Sequence, residues 1–188
     1  MTEGPHPSQV KAGKIAARVL KEIEKDVTPK TKVFTICSLV EKKIVEYGAR
    51  PAFPCNVSID NIAAHYTSPI GDTSTIPESG LVKIDLGAQI DGYITDMART
   101  FDIDGTFEGF VVATDDALQE AITMMRPGTS LGDIGKTIEK VIGAICKVKL
   151  RLRCSISANF IKHTKRIFLR AQIDLFGNCV RFTYMLLC

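Results

Sequence analysis

Asp85 and Asp96 stand eleven residues apart in a stretch whose residue types describe a hairpin. The runs LVKIDLGAQ at 81–89 and YITDMARTF at 93–101 have strand character and meet across Asp91-Gly92, a dipeptide that favours a two-residue type I′ turn. With those two residues in the loop, Ile90 opposes Tyr93, Asp85 opposes Ala98 and Asp96 opposes Gly87. Side chains alternate along a strand and directly opposed residues share a face. The register therefore predicts both carboxylates on one face as diagonal neighbours, roughly 7–8 Å apart at the backbone. Two such carboxylates repel unless water, a proton or a cation compensates them. One reading is the solvated polar face of a half-exposed antiparallel sheet. The other is a divalent metal site, of as many as two ions, where oxygen ligands hold metal that activates water and polarises a carbonyl.

His65 lies in NIAAHY at 61–66, among small and apolar residues. Alone it fits a structural role as well as a catalytic one, and its value rises only if the fold brings it beside Asp85 and Asp96. SLGDIGKT at 130–137 has the look of a phosphate-binding loop, but Ser130 replaces the first glycine and the segment falls in a helical pattern rather than after a strand. It carries no weight.

The elements that must position these residues are legible around them. Ile15, Val19, Leu20, Ile23 and Val27 recur at helical spacing, with Ser8 as the expected N-cap, and Val33, Ile36, Leu39, Val40, Ile44 and Tyr47 form a second stripe ending at Gly48. From residue 50 to 76, short apolar pieces cut by Pro51, Pro54, Pro69 and Gly71 read as strands and loops. Ile84, Leu86, Ile90, Tyr93, Met97 and Phe101 share the hairpin's other face, the expected core side. A helix at about 109–125 is stopped by Pro127-Gly128, and another after Ser130 carries Ile134, Ile138, Val141 and Ile142. Helices alternating with paired strands indicate an α+β domain.

The composition, 45% hydrophobic and 24% charged in 188 residues, suits one ordinary core and argues against disorder. The net charge of +3 conceals two halves. Residues 1–143 carry 15 Lys and Arg against 20 Asp and Glu, whereas residues 144–188 carry nine against one. All eight prolines and 13 of 14 glycines precede residue 144, and four of six cysteines follow it. Irregular cysteine spacing without a secretion signal suits reduced thiols, with Cys37 and Cys55 expected as small buried groups. No leader or membrane span is recognisable, so a soluble cytoplasmic protein is expected.

The residues at this point resemble a known family, the type II methionine aminopeptidases of the pita-bread metallopeptidase fold. The resemblance is carried by PAFPCNVSIDNIAAHYTSP at 51–69, GDTSTIPESGLVKIDLGAQIDGYITDMARTF at 71–101 and MRPGTSLGDIGKTIEKVI at 125–142, and covers about residues 4–143. It implies the N-terminal half of that α+β fold, an antiparallel sheet with packed helices. It also implies a metal-dependent enzyme that removes initiator Met from nascent chains, as an expected monomer, with two divalent ions (Co, Mn, Fe or Zn). Asp85 and Asp96 match the family's hairpin metal ligands, the second commonly bridging. His65 matches its substrate-contacting catalytic His, and Phe53 the Phe that lines the methionine pocket.

The family completes its site with a His from a Gly-His motif and two Glu, and adds a second substrate-contacting His. None is recognisable here: the 150s read LRLRCSISANF, and His163 lacks the surrounding pattern. Two carboxylates alone predict weak metal binding and low activity, and an apolar sheet face normally buried by the second half predicts aggregation. The expected division is a peptidase domain at 1–143 and a basic, Cys-rich tail at 144–188, read first as a change of frame. The alternatives are a genuine short variant and a non-catalytic binding protein of the same fold, whose basic tail contacts RNA or the ribosome. The tail lacks aromatic stacking residues in pattern, which disfavours nucleic acid.

Overall fold

The computed structural model describes residues 5–62, 64–126 and 128–146, and the backbone of two further strands at 166–175 and 178–187. Helix α1 (Pro7–Ile23) and helix α2 (Val33–Glu46) open the chain. Pro7, whose fixed φ suits a first helical turn, moves the N-cap to His6. The His6 Nδ1 accepts from the Ser8 N–H at 3.3 Å. Ser8 is therefore not the cap expected from its position. Its hydroxyl donates instead to Asp91 Oδ2 at 3.0 Å, and the His6 ring stacks on Tyr93 with centroids 3.9 Å apart. The chain start is thus pinned to the hairpin turn.

Strands β1 (Arg50–Pro51), β2 (Asn56–Ile59), β3 (Leu81–Leu86), β4 (Ala88–Ile90), β5 (Tyr93–Ile94) and β6 (Met97–Asp102) form two small antiparallel sheets, ordered β1-β4-β5 and β2-β3-β6. The hairpin register is the expected one: Ile90 opposes Tyr93, Leu86 opposes Met97 and Asp85 opposes Ala98. Asp91 and Gly92, at φ 52° and 81°, both occupy the left-handed region that a type I′ turn requires.

Two continuous strands do not form. The ribbon breaks at Gly87 on one side and at Thr95 and Asp96 on the other. Buried Thr95 supplies the cause, because its N–H donates to the Ala88 carbonyl at 2.8 Å while its hydroxyl takes up both the Ala88 N–H and carbonyl. The side chain competes with the ladder there and divides the ribbon.

The core lies between the two helices and the sheet. Ala12, Ala16, Val19 and Ile23 of α1 and Val33, Ile36, Val40 and Ile44 of α2 are buried with Val57, Val82, Ile84 and Leu86. Each fully buried Val, Ile or Leu contributes about 1.5–3 kcal/mol. Ile90, Met97 and Phe101 pack against this core, as the alternation predicts. Helix α3 (Glu108–Met124) buries Ala113, Ala117 and Ala121, and packs on helix α4 (Leu131–Cys146), which buries Ile134, Ile138 and Ile142. The segment SLGDIGKT lies at the start of α4, in keeping with its helical reading. Strands β7 (Arg166–Leu175) and β8 (Asn178–Leu187) pair as an antiparallel hairpin.

A polar cluster ties α1 to α2. Glu22 Oε2 accepts from Lys43 Nζ at 2.8 Å and the Tyr47 hydroxyl at 2.6 Å, and Glu22 Oε1 accepts from Arg18 Nε at 2.8 Å. Lys43 first, then Tyr47 and Arg18, lowers the Glu22 carboxyl to a pKa of about 2, from about 4.5. A depressed carboxylate stabilises the fold above its unfolded pKa, and that contribution is lost as pH falls through the folded one. The unfolding temperature should therefore drop between about pH 4.5 and pH 2. Glu22→Gln should flatten the drop, a difference read by calorimetry across that window.

Candidate metal centre

Asp85 is buried on central strand β3, between Asn56 of β2 and Ala98 of β6. Asp96 sits at the break between β5 and β6 and is half-buried. Since the register continues through Thr95 and Ala88, the two aspartates share a face across Gly87. That face is not solvated. Lys83, Ser58 and Thr100 are buried with Asp85, and β3 is the central strand of its sheet rather than half of a free hairpin. The solvated-face alternative is thereby corrected.

Lys83 is the residue that pattern reading missed. It lies two positions before Asp85 on the same face, opposite Ser58 and Thr100, and brings a positive charge to a surface holding two carboxylates. A Lys in an alternating strand normally signals exposure, yet here it is buried.

Phe53 reaches the same face. A Cβ built on Gly87 would lie 2.4 Å from Phe53 Cε1 and 2.6 Å from the Thr95 carbonyl oxygen, so the ring rests directly over Gly87, between the two aspartates in register. Helix α2 holds the approach: Glu41 Oε1 accepts from the Cys55 N–H at 3.1 Å, and Cys37 Sγ donates to the Cys55 carbonyl at 3.5 Å. Both cysteines are free and buried, as expected. The side-chain interaction of the two thiols, reinforced by burial, pushes the Cys55 thiol well above its ordinary pKa, which keeps it neutral and makes it a poor metal ligand.

His65 is exposed on the loop after β2 and adopts φ 66°. The Val57 N–H donates to the Tyr66 carbonyl at 2.8 Å, and Thr67 Oγ1 donates to Asn56 Oδ1 at 2.7 Å. Asn56 is the register partner of Asp85, so this loop is fastened beside the carboxylate face.

Hard oxygen donors at Asp85 and Asp96 suit a divalent ion. One oxygen of each, Asp85 Oδ1 and Asp96 Oδ1, is buried without a hydrogen bond among the described residues, although both side chains make other polar interactions. The pair fits part of a metal shell. Among the described residues no three His, Cys, Asp or Glu converge, so His65 does not join the aspartates in a ligand cluster. His163 and the 150s lie outside the described residues. No helix among the described residues is long and apolar enough to cross a membrane.

Comparison with known proteins gives this geometry its context. The model of Metallopeptidase family M24 matches residues 9–165. Methionine aminopeptidase from Saccharolobus solfataricus is 47% identical over 144 residues, covering 77% of this chain and 48% of the relative. Methionine aminopeptidase from Thermococcus onnurineus is 44% identical over 133 residues, covering 71% and 45%. The chain thus spans about half the length of the curated relatives it matches. The solved methionine aminopeptidase from Thermotoga maritima superposes with a TM-score of 0.68 at 26% identity, over 77% of this chain and 64% of that one. Prolidase from Pyrococcus furiosus does so with a TM-score of 0.71 at 18% identity, over 96% and 59%, a likeness of fold alone. The α+β architecture is that of the pita-bread peptidases. With the family match running from residue 9 to residue 165 and the paired carboxylates held on its sheet, this chain belongs to metallopeptidase family M24.

Proposed function

We propose that the chain corresponds to the N-terminal half of a metal-dependent methionine aminopeptidase, acting in the cytoplasm on nascent peptides that begin with Met. The observation that carries this reading is the sharing of one sheet face by Asp85, Asp96 and the Phe53 ring over Gly87. A divalent metal pair, when bound, supplies an activated water and a Lewis acid for the scissile carbonyl. Asp85 and Asp96 would hold the metal. Phe53 contacts the apolar methionine side chain and keeps water from it. His65 hydrogen-bonds the substrate near the scissile bond.

These residues supply part of the shell, so low turnover and weak metal affinity are expected of this chain by itself. Released Met from a Met-Ala-Ser peptide, measured with added Mn or Co, should be small, metal-dependent and lost in Asp85→Ala. Peptide binding without any release would instead favour a non-catalytic binding protein of the same fold. The excess of cations in residues 144–188 makes ribosome contact its natural test. The identity of that tail is settled by resequencing beyond the codon for Gly143. A Gly-His motif and two later Glu in another frame would mark a change of frame.

A further inference from the structure

The backbone at His65 is held where few side-chain-bearing residues rest. A non-glycine residue in the left-handed region persists only when surrounding contacts over-determine it, and the contacts that hold the residues following His65 are identifiable. On one side, Tyr66 and Thr67 are fastened to β2 through Val57 and Asn56, beside Asp85. On the other, the carboxylate of Asp72 gathers the loop. The Tyr66 hydroxyl donates to Asp72 Oδ2 at 3.0 Å, the Ser68 hydroxyl to the same oxygen at 2.6 Å, and the Ser74 N–H to Oδ1 at 2.8 Å. The Asp72 N–H returns to the Pro69 carbonyl at 3.1 Å and closes the turn. Ser68 first, then Ser74, holds the Asp72 carboxyl well below the usual range, so all three bonds are to an ionised acceptor and are stronger than neutral ones.

We propose that Asp72 is a positioning residue for His65: its carboxylate closes residues 66–74 into a clasp that presents the imidazole-bearing turn against β2, opposite Asp85. The inference rests on the reading of His65 as a substrate contact. It goes beyond that reading in naming what fixes the side chain's base. Without the clasp, the side chain of Tyr66, next to His65, loses its hydroxyl anchor and Ser68 and Ser74 lose their common acceptor, so the turn at His65 samples other conformations.

The chain has three histidines, His6, His65 and His163, so their imidazole Cε1–H resonances can be assigned by His→Ala substitution. In Asp72→Asn, which keeps the side-chain shape and removes the charge, the His65 resonance should move by more than its line width. That of His6, which stacks on Tyr93 away from the clasp, should stay in place. Tyr66→Phe and Ser68→Ala each remove one hydrogen bond and should move the His65 resonance in the same direction by less. They keep the test decisive if Asp72→Asn does not fold. An unmoved His65 resonance in folded variants would overturn the proposal. Titrating a Met-Ala-Ser peptide into the unsubstituted chain separates the two ideas. A bound peptide that leaves His65 unperturbed overturns the substrate reading, whereas the Asp72 variants judge the clasp itself.

Discussion

Gly87→Ala is expected to destabilise the fold by about 1–3 kcal/mol, the usual cost of forcing a methyl into a filled site. The added Cβ would meet Phe53 Cε1 at 2.4 Å, the Thr95 carbonyl oxygen at 2.6 Å and Ala52 Cβ at 3.0 Å. Two of these neighbours are poorly able to yield. The Thr95 oxygen is backbone at the ribbon break, and Ala52 is tied to Gly87 itself, its N–H donating to the Gly87 carbonyl at 2.9 Å. The relief open to the structure is to push the Phe53 ring off the carboxylate face. Urea unfolding should show a lower midpoint at unchanged slope. Adding Phe53→Ala should restore part of the loss, because the two sites touch and their effects are non-additive. An unchanged midpoint in Gly87→Ala would mean that Phe53 does not rest where the structure puts it.

Asp85→Ala should lower Mn affinity by roughly tenfold or more, since even outer-shell partners of metal ligands cost that much. Lys83→Met should act in the opposite direction. Lys83 is buried on the same face as Asp85, and its charge offsets the repulsion that the two carboxylates would otherwise feel in a poorly hydrated setting. Removing that charge leaves the metal-free fold less stable and the face more attractive to a divalent ion. Calorimetric titration with Mn should therefore show tighter binding in Lys83→Met than in the unsubstituted chain. Thermal unfolding should show a lower transition without metal and a larger upward shift with it. Equal Mn affinity in both would remove Lys83 from the electrostatics of the site.

The hairpin was the most legible part of this molecule. Asp91-Gly92 dictates a two-residue turn, and the turn dictates every cross-strand pair from Ile90 and Tyr93 back to Leu81 and Asp102. Helical stripes in α1 and α2 were likewise plain, because their burial follows from a 3.6-residue period that neighbouring segments cannot disguise. Less was readable where one side chain interacts with a distant backbone. Thr95 breaks the ribbon through hydrogen bonds to Ala88, and Ser8 abandons the cap for Asp91. Nothing in the local pattern distinguishes such a Thr or Ser from one facing water.

By itself, then, the order of residues determined the turn, the register and the placing of Asp85 and Asp96 on one face, since these follow from local geometry and a period of two. Packing decided the rest. Burial of Lys83, Ser58 and Thr100 around Asp85 on that face is a tertiary outcome that the strand's alternation alone does not specify. The close approach of Phe53 to Gly87 and the fastening of the His65 loop to Asn56 join residues more than ten positions apart, across separate elements. Such contacts depend on where the chain returns in space, which no local spacing encodes.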